Sequence, residues 1–532
     1  MTKTPPKDSP DVEQNVWGKE PHELSLVART VSVDYLVTFV ELAIGIFMLP
    51  FNVAHLGQAA YGLWMLVVAP TVWFSMLDLG YGSSLAKFVT QYRARRDVQA
   101  LNEVTSTMFV VYTFIGVVAY GIGALIAFNL TRIFDVGSTP AATGRDIILI
   151  VSASVALGFP VSVFGGIVTG FQRRHLNGFV AIVTSLMVAA VNVVVLLLGY
   201  GLVAVVASTT LVRLLSFIGY RMTAYRVFPA LRIRLGSFRL SRLREITRFS
   251  AFMLLIDVSH KLNYASDTLI IGALLNTTAV AVWTVAQRLS EMALRLTNRL
   301  SEALLPVIVD SATLGNIDRL RRVLLQGTRI SLAMVLPVTA GLALLAKPLV
   351  LVWVGPSFSQ SIVIIQLLAA VVVCRVGSST ARRLLQGAGD HELLAYTNVV
   401  GAVTNILLSV VLAQRLGLVG VALGTLIPLA VASVFIVMPA ACRRAGVSIR
   451  EVFTGSVWPA LWPTLVMAAV LLLMRDVFAR SVTAIVFHTV LGGTIYLTLF
   501  FGVALDRAER AWYFAKLREL RGGTDPLPVR SA

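Results

Sequence analysis

Long apolar runs follow one another along most of this chain, each separated from the next by a short polar link. About 20 apolar residues cross the hydrocarbon of a bilayer as a helix, since every backbone polar group is then paired inside the segment. The spacing predicts fourteen such spans. They fall near 31–54, 60–82, 104–128, 146–170, 178–199, 202–225, two between 250 and 309, 327–352, 361–385, 393–414, 418–441, 458–474 and 482–505. Composition agrees: 57% of the 532 residues are hydrophobic and 14% are charged. A soluble protein of average composition carries about 25% charged residues. The expected fold is an all-α integral membrane protein.

The net charge is +18, which raises the question of nucleic acid. Its placement argues for membrane topology instead. Arg93, Arg95 and Arg96, Arg173 and Arg174, seven arginines between Arg226 and Arg248, Arg319 to Arg322, Arg382 and Arg383, and Arg443 to Arg450 occupy alternate loops. The intervening loops hold little beyond Arg132, Arg415, Arg475 and Arg480. Basic residues collect on the cytoplasmic side, so both termini are expected there, in a cytoplasmic membrane. The 226–248 segment reads as a solvated linker that sets this topology. Residues 1–28, with no apolar run behind a basic start, read as a cytoplasmic tail rather than a cleaved leader. Residues 506–532 form a second, basic tail. Cys374 and Cys442 and six scattered histidines give no disulfide framework, metal spacing or cofactor motif.

The two halves resemble each other. His175, Gly201 and Thr209 match His391, Gly417 and Thr425 at a constant offset of 216, while Trp64 and Val104 match Trp283 and Val323 at 219. Six spans separate the copies, and an even number preserves orientation, so the repeats are parallel. The expected organisation is an N-lobe at 29–225, the basic loop 226–248, a C-lobe at 249–441 and two appended spans within 442–505. The two six-helix lobes would enclose a central cavity.

The two spans between 250 and 309 are the polar exception. They carry Asp257, Lys261, Asp267, Arg288, Glu291, Arg295, Arg299 and Glu302. Charges at bilayer depth are costly and usually face a protein interior or a water-filled space. On a helix at about 100° per residue, Arg295 and Arg299 lie about 20° to either side of Arg288, with Glu291 and Glu302 within about 60°. One narrow stripe results, with three arginines against two glutamates. Asp257 and Lys261, four apart, can pair across a turn. Mutual pairing would make the stripe mere glue between helices; a net positive cavity would suit an anionic cargo. Arg213 and Arg375 fall near the middle of their spans and would add cations, with Asp34 and Glu41 as counter-charges.

The runs Ala59–Tyr92 (AAYGLWML…MLDLGYGSSLAKFVTQY), Ser266–Leu289 and Leu384–Ile427 resemble the polysaccharide-export flippases. These share a superfamily with the multidrug and toxin extrusion (MATE) transporters and the lipid II flippases. The resemblance covers about Val27 to Leu505. It implies two bundles around an alternating cavity and a cargo of undecaprenyl-diphosphate-linked oligosaccharide, moved for cell-surface polysaccharide synthesis. It also implies that cavity cations hold the diphosphate, a role the Arg288, Arg295 and Arg299 stripe would suit, with Arg213, Arg375 and Lys261 as further candidates from their charge and position. The drive would be a Na+ or H+ gradient, read by Asp34, Glu41, Asp257, Asp267 or Glu291. Membrane lipids and other polysaccharide-assembly proteins are the remaining candidate partners; nucleic acid is not. A drug–cation antiporter should show a carboxylate-dominated cavity, against the arginine stripe. A membrane glycosyltransferase or polymerase needs a catalytic group on a long outer loop, and the outer loops here are short. A non-transporting scaffold would leave the stripe without a purpose.

Overall fold

A computed structural model describes residues 23–78, 80–133, 141–303, 311–312, 314–474 and 481–505, with 308 and 510. Among these the regular structure is helical throughout. The principal helices are α1 (Glu23–Leu56), α2 (Gln58–Phe74), α3 (Tyr81–Ala94), α4 (Val98–Phe128), α5 (Ala141–Gly170), α6 (Arg174–Leu197) and α7 (Leu202–Val227). There follow α8 (Leu240–Leu274), α9 (Thr277–Ala303), α10 (Ile317–Leu344), α11 (Ser361–Gly377), α12 (Ser379–Gly387) and α13 (His391–Leu416). The last are α14 (Leu418–Val431), α15 (Met438–Ala445), α16 (Trp458–Leu473) and α17 (Val482–Leu499).

Among the described residues, eleven helical segments are long and apolar enough to cross a membrane, and each overlaps one of the fourteen expected spans. The other three expected spans are also helical but differ in kind. The second, 60–82, is interrupted: α2 is followed by a short 3-10 turn at Ser75–Asp78, and α3 begins at Tyr81. The seventh and eighth are α8 and α9, unbroken but too rich in charge to pass as apolar.

Packing divides the chain into two compact units, residues 1–285 with 406–421, and 286–405 with 422–532. Within the first, α4 lies along α5, α5 along α7, and α1 along α6. Small residues permit this, as they do wherever lipid supplies no hydrophobic drive for helix association. A Cβ on Gly116 of α4 would sit 2.3 Å from the Ala156 carbonyl oxygen of α5. Leu85, Leu101, Met108, Tyr112, Val163 and Ile167 close the core of this unit. The basic segment after α7 is not a free linker. Phe228 and Leu231 are buried in the same core, with the Phe228 ring 5.4 Å from Phe171. Asn102 of α4 donates to Ala230 O at 3.1 Å and accepts from Arg232 N at 2.8 Å. Ser106 and Thr107 accept from the backbone N–H of Arg234 and Arg239, each at 3.1 Å. Arginines are thus displayed from a strap tied to α4 by its backbone.

In the second unit α10 packs against α11, α12 and α16. Leu332, Val335, Val372, Val376 and Met467 form one apolar cluster, and Leu324, Leu384 and Ala441 belong to another. Polar side chains occupy the helix stretches between them. Ser378 and Ser433 hydroxyls lie 3.1 Å apart, and Ser456 donates to Leu325 O at 2.7 Å. Ser433 and Ser456 sit in π-helical turns, Ala432–Val437 and Phe453–Val457. Such turns insert a residue into the helical ladder and reorient the face that follows.

Candidate functional site

The register of α9 is continuous, which puts Arg288, Glu291 and Arg295 on one face. The N-terminal part of this helix is buried: Val280, Ala281, Val282, Trp283, Val285 and Ala286 are each at most 3% exposed. After this buried run, exposure returns at the stripe. Arg288 and Arg295 are exposed, while Ser290 and Ala293 between them are buried on another face. Glu291 is half-buried and accepts from Gln287 Nε2 at 3.0 Å. The side chains of Arg299 and Glu302, and those of Asp257 and Lys261 on α8, lie outside the described residues.

Asp267, on α8, is buried at 8% exposure. Arg213 is exposed on α7, and Arg375 is half-buried in the last turn of α11. Glu41 is exposed on α1, whereas Asp34 faces Arg174 of α6, Oδ2 to Nε, at 3.8 Å. Asp34 therefore has a cation of its own on a neighbouring helix.

Three features escape the sequence reading. Asp78, in the turn between α2 and α3, accepts from the Tyr112 hydroxyl of α4 and from Gly82 N at 3.2 Å. Arg329, in α10, is buried at 8% exposure beside buried Thr328 and Ser331. At the start of α8, Arg242 donates to Tyr92 Oη at 2.8 Å, to Glu103 Oε2 at 3.3 Å and to Glu245 Oε2 at 3.4 Å. Its guanidinium also lies 5.1 Å from the Tyr92 ring centroid. Burial lowers the Arg242 pKa, but Tyr92, Glu103 and Glu245 outweigh it and raise the net value. The Tyr92 phenol is likewise raised, first by burial and then by Glu245, against Arg242 and Arg95. Nearby, burial and the Arg93 guanidinium push Arg173 down.

The described residues form a multi-pass, all-helical membrane protein with charged side chains carried on two of its long helices, and the proteins it is similar to are flippases and transporters. Comparison with known proteins makes the class definite. The family profile described as "Polysaccharide biosynthesis protein" matches residues 27–312, more than half of the chain, and the profile "MatE" matches residues 258–411. The chain belongs to the polysaccharide biosynthesis protein family, within the superfamily that holds flippases and MATE transporters. "Probable flippase AglR" of Haloferax volcanii is 21% identical over 424 residues, 78% of this chain and 83% of that protein. Among solved structures, "Lipid II flippase MurJ" in an inward closed conformation shares the fold at a TM-score of 0.70 and 15% identity, over 91% of this chain and 99% of that one. An inward-facing MATE family transporter gives a TM-score of 0.62 at 18% identity, over 79% of this chain and 98% of that one.

Proposed function

We propose that this protein flips a polyprenyl-diphosphate-linked oligosaccharide across the cytoplasmic membrane by alternating access, with both termini in the cytoplasm. The observation that carries the reading is the pair of exposed guanidiniums, Arg288 and Arg295, on one face of a helix buried from Val280 to Ala286. A diphosphate offers several acceptor oxygens and at least two negative charges, which guanidinium forks satisfy in pairs. Where water is thin that attraction is poorly screened, so it can offset stripping the headgroup of its hydration. Arg299, Arg213, Arg375 and Lys261 are further candidates for holding the anion, and Asp34, Glu41, Asp257, Asp267 or Glu291 would read a Na+ or H+ gradient. The family's place in polysaccharide biosynthesis and the flippase fold support the choice of cargo.

The test is transbilayer movement in proteoliposomes of a fluorescent polyprenyl-diphosphate oligosaccharide, scored by its accessibility to a membrane-impermeant quencher. Movement above the protein-free rate, abolished when the diphosphate is replaced by a neutral linkage, is the expected result. Equal rates with and without protein would remove the proposal.

A further inference from the structure

By the sequence repeat, α8 opens the second set of six helices, yet it packs against α2, α3 and α4 of the first. Its opening turns meet them through polar groups. Tyr81 Oη and Thr247 Oγ1 are 2.9 Å apart, and the buried hydroxyls of Ser84 and Ser250 are 2.7 Å apart. Arg242 joins Tyr92, at the end of α3, to Glu103, in the first turns of α4; Arg239 reaches Glu103 at 3.9 Å. Among the described side chains from 240 to 250, Ile246 is the one buried apolar residue.

This seam differs in kind from the contact between α4 and α5, where glycine and apolar side chains bring two backbones close. Partly exposed ion pairs and hydroxyl contacts exchange for water at little net cost, whereas buried apolar surface does not. A permanent joint between membrane helices has no need of four charged or phenolic groups at its water-exposed end. A joint that opens and recloses does.

We infer that Arg242 is a positioning residue for transport: its contacts with Tyr92, Glu103 and Glu245 form a latch that holds the first turns of α8 on α3 and α4 and opens once in each transport cycle. The inference rests on the transport reading above for its purpose, but its test does not depend on the cargo.

The experiment uses the full-length protein in membranes, with Cys374 and Cys442 replaced by alanine. In that background Ser84→Cys reports opening of the seam through its rate of maleimide labelling. Slow labelling is expected with Arg242 in place, about tenfold faster labelling with Arg242→Ala, and an intermediate rate with Arg242→Lys, as for a local opening equilibrium. Each variant must keep its membrane level and its gel-filtration profile. Unchanged labelling in a folded Arg242→Ala protein would overturn the latch. In a second arm, with Arg242 in place, Ser84→Cys and Ser250→Cys, whose parent hydroxyls lie 2.7 Å apart across the seam, are joined as a disulfide. Export of surface glycan should stop on linking and return on reduction. Full export by the linked protein would show that the seam never opens. If deleting the gene leaves surface glycan intact, the proposed cargo fails, and the labelling arm still decides the latch.

Discussion

Replacing Arg288 and Arg295 by alanine separates a cargo-binding stripe from structural glue. Both side chains are exposed, and arginine and alanine are both good helix formers. Each substitution should therefore change stability by no more than about 0.5 kcal/mol. Binding should respond differently. A hydrogen bond to a charged group contributes roughly 1.5–3 kcal/mol, so one lost guanidinium should weaken the diphosphate by roughly 10- to 150-fold. Arg→Lys keeps the charge and loses the fork, so it should restore only part of this. Arg322→Ala, exposed at the start of α10, serves as the control and should leave transport unchanged. The assay is surface polysaccharide in a complemented deletion strain, with membrane levels of each variant measured beside it. Full export by the Arg288→Ala/Arg295→Ala protein would refute the reasoning and leave these arginines as helix glue.

Cysteine labelling beyond Leu505 should occur only from the cytoplasmic face, because basic residues crowd alternate loops; labelling from outside would overturn the topology. Gly116→Val should lower the yield of folded protein, since even its Cβ would stand 2.3 Å from the Ala156 carbonyl oxygen and overpacking costs about 1–3 kcal/mol; fluorescence-detected gel filtration reads this. Asn102→Ala should loosen the strap by leaving Ala230 O and Arg232 N without that partner, at about 1–3 kcal/mol. Trypsin should then cut between Arg232 and Arg239 faster than in the parent, and an unchanged cleavage rate would count against the strap.

The span pattern was legible because hydropathy and length alone dictate it: eleven apolar helices fall where the runs predict them. The shared face of Arg288, Glu291 and Arg295 was legible for the same kind of reason, since helical register is a property of the backbone. What escaped was pairing. Asp34 reads as a counter-charge for distant cations until α6 brings Arg174 within 3.8 Å of it. The arginine-rich segment after Val227 reads as solvent-borne because its charges outnumber Phe228 and Leu231, the two residues that seat it. Asp78 lies in a quoted motif, MLDLGYGSS, but nothing in that motif indicates that Tyr112, 34 residues away, will donate to it. Long-range partners are set by packing, to which local pattern is blind.

The three expected spans that fail a test of apolar length are those where the polar groups gather. The second is broken at Asp78; the seventh carries Asp257, Lys261 and Asp267 and follows directly on the Arg242 seam, and the eighth carries the arginine stripe. A helix bounded by lipid and by other apolar helices can be hydrophobic all round, and selection for insertion keeps it so. A helix that must meet an anion on one face, or release a neighbour and take it back, needs polar side chains there. It keeps its place in the membrane only through the apolar residues on its remaining faces. The length of α8 shows how both demands are met: its 35 residues extend about 50 Å, so the charged first turns lie beyond a bilayer core of about 30 Å while the rest can cross it. Low hydropathy in α8 and α9 thus marks the helices at which transport would be carried out, while the eleven apolar helices supply the frame that holds them.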